Sequence, residues 1–165
     1  KAILLGVAFG WRNQKGLDVF IDLAKSLDRN QYQIVLVGTD DKVDKLLPDN
    51  VISIHKTYNQ QELAEIYTAA DLFVNPTREE VLGMVNIEAL ACGTPVVTFR
   101  TGGSAEIPDE HSGSVVPCND TEALKKEIIR ICAEHPYTQE ACTRRAGDFY
   151  YKDRYEEYVN LYEQI

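Results

Sequence analysis

Two glutamates, Glu80 and Glu88, stand eight residues apart in "EEVLGMVNIEALACGTPVV" (79–97), a stretch that turns apolar after one glycine, Gly83. Acids at this spacing allow two readings. If the run is a helix whose start binds an anion, each acid can accept hydrogen bonds from the hydroxyls of a sugar ring on either side of that anion, as a nucleotide-sugar would require. A carboxylate about one and a half turns into such a helix would repel a phosphate but suit a vicinal diol. In the plainer reading Glu80 is a solvated loop charge and Glu88 covers the helix face. Glu79 competes with Glu80 for the first role, although the spacing favours Glu80. Two cations, Arg12 and Lys15, lie far away along the chain in "GWRNQKG" (10–16).

The elements that must position these residues alternate along the chain. Apolar runs at 2–9, 32–38, 51–54, 72–75, 95–99 and 113–116 read as strands. Helical periodicity or capping signals mark 15–27, 40–47, 60–70, the segment from Gly83 to about Gly93, a helix ending near Glu134, and two further helices near 138–149 and 152–164. Leu17, Phe20, Ile21, Ala24 and Leu27 share one face of the first helix. Asn59 with Glu62, and Asn119 with Glu122, read as helix caps. Short apolar strands alternating with helices give an α/β fold, a doubly wound, Rossmann-like parallel sheet of six strands. Ligands bind such sheets beyond the carboxyl ends of the strands, which directs attention to loops 9–16, 38–41, 55–59, 75–83 and 100–106. The helix start at Gly83 then faces the ligand crevice, with free amides and a dipole that favour an anion.

Composition narrows the function classes. A formal charge of −9 over 165 residues argues against a broad nucleic-acid surface. No apolar run approaches the ~20 residues that span a bilayer, and no signal peptide is evident. Cys92, Cys118, Cys132 and Cys142 form no CxxC pair and match no zinc spacing, so they read as buried thiols of a reducing compartment. His55, His111 and His135 are scattered, and no metal site is expected. The chain opens at Lys1 and enters a strand at once, as an excised piece of a longer protein would.

At the level of whole motifs, "NPTREEVLGMVNIEALACGTPVVTFRTGGSAE" resembles the donor-domain motif of family 4 (group 1) glycosyltransferases, retaining enzymes of GT-B architecture. Glu80 and Glu88 match the E-x7-E pattern, and "EALACGTPVV", Gly102-Gly103 with Glu106, "KGLD" (15–18) and a strand ending "LVG" match in order. The likeness covers nearly the whole chain as the C-terminal half of a GT-B enzyme. It implies that Glu88 binds ribose hydroxyls, that Glu80 binds hydroxyls of the transferred sugar, and that Gly83 with the amides of Met84 and Val85 meets the diphosphate or sugar. Lys15 and the nearby Arg12 would neutralise the leaving diphosphate, and the loop of His55, Lys56 and Thr57 would border the base. Gly10 belongs to the same donor-binding loop but stands where the family commonly places an arginine, and Leu82 replaces the usual aromatic.

By the same likeness the donor is UDP- or GDP-linked, no metal or other cofactor is needed, and the acceptor is a glycan or a lipid-linked glycan. The setting would be the cytoplasm, at the inner face of the cytoplasmic membrane for the full-length protein. The acceptor domain is missing, so the chain alone should bind nucleotide weakly and transfer nothing. A GT-B UDP-sugar epimerase, for which Arg100 and Glu106 make a case, and a silent nucleotide-sugar-binding module are the alternatives. A dehydrogenase is disfavoured, since "FGWRNQKG" lacks GxGxxG. Tyr151, Tyr155, Tyr158 and Tyr162 form a helical stripe that either packs on this domain or docks the missing one.

Overall fold

The computed structural model describes residues 1–150; the tyrosine stripe and the expected helix 152–164 lie outside the described residues. The elements are β1 (Ala2–Val7), α1 (Leu17–Ser26), β2 (Tyr32–Val37), α2 (Asp41–Asp44), β3 (Val51–Ile54), α3 (Gln60–Ala69), β4 (Leu72–Asn75), α4 (Met84–Ala91), β5 (Val96–Phe99), β6 (Gly113–Val116), α5 (Thr121–Glu134) and α6 (Gln139–Gly147). Short 3₁₀ turns cover Asn13–Lys15 and Gly102–Glu106.

The six strands pair in parallel in the order β3-β2-β1-β4-β5-β6. The run-like apolar character of the strands follows from burial on both faces, and every residue of β4 and β5 is buried. Neighbouring residues feed opposite cores because side chains alternate across a strand. Leu4, Val74 and Val97 point to the core shared with Phe20, Leu124 and Ile128. Leu5, Phe73 and Val96 point to the one shared with Tyr67, Leu90 and Cys142. Burying a side chain such as Phe73 contributes roughly 1.5–3 kcal/mol.

The chain moves outward from β1 to β3, then returns to lay β4 on the other side of β1. That reversal opens the crevice between the carboxyl ends of β1 and β4. Gly16 fixes the geometry at its rim. It has φ of 81°, and a Cβ there would come within 2.5 Å of Pro76, so α1 enters directly against the end of β4.

Element boundaries differ from the sequence reading in physical ways. Lys15 ends a 3₁₀ turn, and the helix proper begins after Gly16. The expected helix 40–47 is a single turn capped by Asp40, whose carboxylate accepts from the amides of Lys42 and Val43. Asn59 caps α3 as expected, its side chain accepting from the Glu62 amide. At α5 the cap is Asp120, accepting from the Ala123 amide, and not Asn119. Asn119 adopts φ of 66° and gives its side chain to Arg78. Of the four cysteines Cys142 is buried and the others half-buried, all free; burial pushes the Cys132 and Cys142 thiols up to about 11.

Candidate functional site

A cleft of about 370 Å³ lies at the switch point, floored by Val7 at the end of β1, Ala8 just after it, and Val74 and Asn75 of β4. Its rim carries Lys15 and Glu80 on one side and Gly83, Met84 and Val85 on the other. Lys15 Nζ stands 3.6 Å from Glu80 Oε2, with side chains 30% and 18% exposed. The two charges, 65 positions apart in the chain, thus meet at the mouth of one cleft.

The loop that presents Glu80 is held on both flanks. On one flank the Arg78 amide donates to the Gln14 carbonyl, beside Lys15, at 2.8 Å. On the other, Gly102 and Gly103 approach so closely that a Cβ would fall 1.7 Å from the Glu80 carbonyl oxygen or 2.3 Å from that of Val81. The Gly103 amide donates to the Val81 carbonyl at 3.1 Å. The Gly-Gly pair therefore serves the placement of Glu80, since only hydrogen at those two positions leaves room for the loop.

Gly83 opens α4 with φ of 77°, and the amides of Met84 and Val85 have no backbone acceptor among the described residues. A buried polar network fixes this helix start. Asn75 donates through Nδ2 to Asn86 Oδ1 at 2.8 Å, and Asn86 Nδ2 donates to Ser104 Oγ at 2.8 Å. Thr98 and Ser104 hydroxyls bond at 2.6 Å, and Thr98 Oγ1 also donates to the Asn75 carbonyl at 2.9 Å. Asn86, Thr98 and Ser104 are fully buried and fully partnered, as buried amides must be. The network joins β4, β5, α4 and the 102–106 turn at one point.

Glu88 lies one turn beyond Met84 on the same helix face, on the continuation of the rim toward α3, and does not line the cleft itself. It is exposed and accepts from the Tyr67 hydroxyl at 2.9 Å. Burial, with the Glu88 charge beside it, holds the Tyr67 phenol protonated, so that Tyr67 is the donor.

The remaining expected residues are dispersed. Arg12 is exposed, and its guanidinium has no partner among the described residues. Gly10 has φ of 77° with nothing within 4 Å of a virtual Cβ, so an arginine there would be opposed by backbone strain and not by crowding. Lys56 is exposed and Thr57 half-buried; both follow β3, two strand spacings or roughly 10 Å from β1, and neither lines the cleft. Beside them His55 Nε2 meets Asp44 Oδ2 at 2.6 Å, and Ser53 donates to the same carboxylate. The Asp44 contact raises the His55 pKa, while bonds from Ser53 and His55 lower that of Asp44. Asp41 brings a third ligand-type atom within 4.8 Å of these two. Sequence spacing did not reveal this trio, because the fold brings α2 and the end of β3 together. Exposed groups of this kind often cluster with no ion.

Arg78, Asn75 and Asn86 went unread as site residues. Arg78 passed as one charge of "TREE", and two asparagines eleven apart carry no spacing signal. The one local hint was their polarity inside otherwise apolar runs.

A parallel sheet with a largely apolar cleft at its switch point, carrying Lys15 and Glu80 at its mouth, defines a Rossmann-like ligand-binding domain. A model for the family "Glycosyl transferases group 1" matches residues 1–134, and the chain belongs to that family. It is 37% identical over 115 residues to a D-inositol 3-phosphate glycosyltransferase of Saccharomonospora viridis, covering 69% of this chain and 24% of that protein. It is 30% identical over 183 residues to a glycogen synthase of Geotalea daltonii, covering 98% of this chain and 37% of that one. The fold matches sucrose-phosphate synthase from Thermosynechococcus elongatus with a TM-score of 0.82 and 29% identity, over 99% of this chain and 45% of the other. The chain thus spans less than half the length of each. Among the described residues no helix is long and apolar enough to cross a membrane.

Proposed function

We propose that this chain is the donor-binding half of a two-domain GT-B glycosyltransferase, which moves a sugar from a nucleoside diphosphate to a glycan or lipid-linked acceptor with retention and without metal. The observation that carries the reading is the meeting of Lys15 and Glu80 at 3.6 Å beside the amides of Met84 and Val85, which have no backbone acceptor among the described residues. A diphosphate seated there exchanges an internal ion pair for a cation and two amides. Glu80 is then released to accept from hydroxyls of the transferred sugar, while Glu88 takes the ribose and the 55–57 loop borders the base.

The chemistry follows from charge. When the nucleoside diphosphate leaves, negative charge grows on its oxygens, and preplaced donors stabilise that charge most at the transition state. A hydrogen bond to a charged group contributes roughly 1.5–3 kcal/mol, so Lys15 and the amides together supply several decades of rate at ~1.4 kcal/mol per decade. Arg12 is the second cation of the proposal, able to swing to the phosphates because no side chain among the described residues holds it. The setting follows the sequence reading: a cytoplasmic enzyme of polysaccharide or glycolipid assembly.

The test is a donor screen on the full-length protein, with product analysis of the anomeric configuration and added chelator. Release of UDP or GDP with a retained linkage, insensitive to chelator, is the expected result. Epimerised sugar or no turnover with any nucleotide-sugar would defeat it.

A further inference from the structure

Arg78 sits outside the cleft, yet it touches every element that carries the cleft's charges. Its guanidinium forks onto Asp18 of α1, with Nη1 to Oδ1 at 2.7 Å and Nη2 to Oδ2 at 2.9 Å. Nη1 also donates to the Asn13 carbonyl in the turn that ends at Lys15, and Nε donates to the Asn119 side chain beyond β6. Four of its five donors are therefore spent on protein, and the arginine is not available to a phosphate. Those hydrogen bonds hold the Asp18 carboxyl below its usual range, so the pair stays charged near neutrality. One backbone bond runs parallel to the fork, from the Arg78 amide to the Gln14 carbonyl, and the Thr77 hydroxyl donates to the Glu79 carbonyl within the loop at 2.9 Å.

We propose that Arg78 is the positioning residue of the donor site, a clamp that holds the Lys15 turn and the Glu80 loop in register through Asp18. The inference rests on the donor-site reading given above. A loop anchored only by its own backbone could slide relative to α1. A forked, charge-assisted pair resists such sliding because both of its bonds are directional. The clamp lies two residues from Glu80 and three positions from Lys15 through Asp18, so its loss is felt as misplacement of both, without removal of any group that touches donor. Misplacement by about 1 Å costs on the order of 10²-fold in rate. The cost falls on kcat, since Lys15 and Glu80 act most strongly where charge develops.

The experiment compares Arg78→Lys, Asp18→Asn and Lys15→Ala in the full-length enzyme, singly and as the Arg78→Lys/Lys15→Ala double variant, with melting temperature recorded for each. Lysine keeps the charge and loses the fork; Asp18→Asn keeps the shape and loses the charge. The clamp predicts a kcat loss of about 10²-fold for Arg78→Lys. It predicts about tenfold for Asp18→Asn, donor KM within about threefold of wild type for both, and both proteins folded at the assay temperature. It further predicts that Arg78→Lys adds less than about threefold once Lys15 is gone, because the two act through one placement. A residue that merely supports the fold would lower activity in step with the melting temperature and add fully to Lys15→Ala, and that pattern overturns the proposal. So does a kcat within threefold of wild type in both Arg78→Lys and Asp18→Asn. If Lys15→Ala itself leaves turnover untouched, the donor-site reading fails and takes the clamp with it. If Lys15→Ala is inactive and Arg78→Lys is normal, the clamp alone fails.

Discussion

The two ends of the crevice are built differently. At the β1–β4 end, Glu80 is 18% exposed in its side chain, faced by Lys15, and carried on a loop held by the Gly102-Gly103 turn at Glu80 and by the Gln14 carbonyl at Arg78. At the β2–β3 end, His55, Lys56 and Tyr58 are exposed, and the principal tie is the His55–Asp44 contact in open solvent. The first end has little freedom, as suits groups that must meet developing charge. The second can adapt its side chains, as suits a flat ring held mainly by contact. A rigid end and an adaptable end make different predictions.

The largest effect is expected at the rigid end. Glu80→Gln removes the carboxylate that neutralises Lys15 and that would hold the donor sugar. Turnover of nucleotide-sugar should fall by on the order of 10²-fold, from loss of about 1.5–3 kcal/mol per charge-assisted bond. Binding of the bare nucleoside diphosphate should be retained or tightened, because Lys15 no longer has an internal partner. Steady-state kinetics and calorimetry on the same variant give the two readouts, and a parallel loss of both would count against the exchange of partners.

Next comes Gly102→Ala. Its Cβ would sit 1.7 Å from the Glu80 carbonyl oxygen at φ of 44°, so the Glu80 loop must shift. Strain of this kind costs roughly 1–3 kcal/mol, and both melting temperature and kcat should drop. Asn86→Leu should destabilise by a comparable amount, about 1–3 kcal/mol, by leaving the Asn75 side-chain amide without its acceptor and Ser104 with only its Thr98 partner in the buried network. Denaturant unfolding checks it, and an unchanged midpoint would mean that the network does not hold the start of α4.

The smallest effect belongs to the adaptable end. His55 has a raised pKa, so its contribution is complete below the unfolded value of about 6.5 and fades as pH rises through the folded one. Asp44 is lowered, so its contribution is present above about 3.8 and is lost as pH falls through its folded value. The pair therefore helps most between about pH 4 and 6.5. NMR titration should show the His55 pKa above that of a free imidazole, about 6.5, and Asp44→Asn returning it toward that value, with little change in melting temperature.

Much of this was legible in the residues, for reasons that also explain what was not. The strands stood out because burial on both faces demands unbroken apolar runs such as Leu72–Val74 and Ile34–Val37. The doubly wound sheet followed from alternation, and the start of α4 from Gly83 before an apolar turn. The cap at Asn119 was misassigned because Asn and Asp are equally good caps, and only the backbone angle of 66° excludes the former. Arg78 was invisible because its partners, Asp18, Asn13 and Asn119, come from three distant segments. Lys15 and Glu80 were each singled out, but their meeting is a property of α1 packing on Pro76, which no local pattern records.

The central claim is that a diphosphate is held by Lys15 and the first amides of α4. Amide and side-chain NMR of the ¹⁵N-labelled protein, titrated with UDP and with GDP, tests it most directly. The largest shifts should fall on Met84, Val85 and Lys15, with a smaller set at Glu88 and the 55–57 loop, and Lys15→Ala should abolish them. Shifts centred elsewhere, such as the cavity beside Asp71, Cys132 and His135 at the opposite end of the sheet, with Met84 and Val85 unmoved, would contradict it.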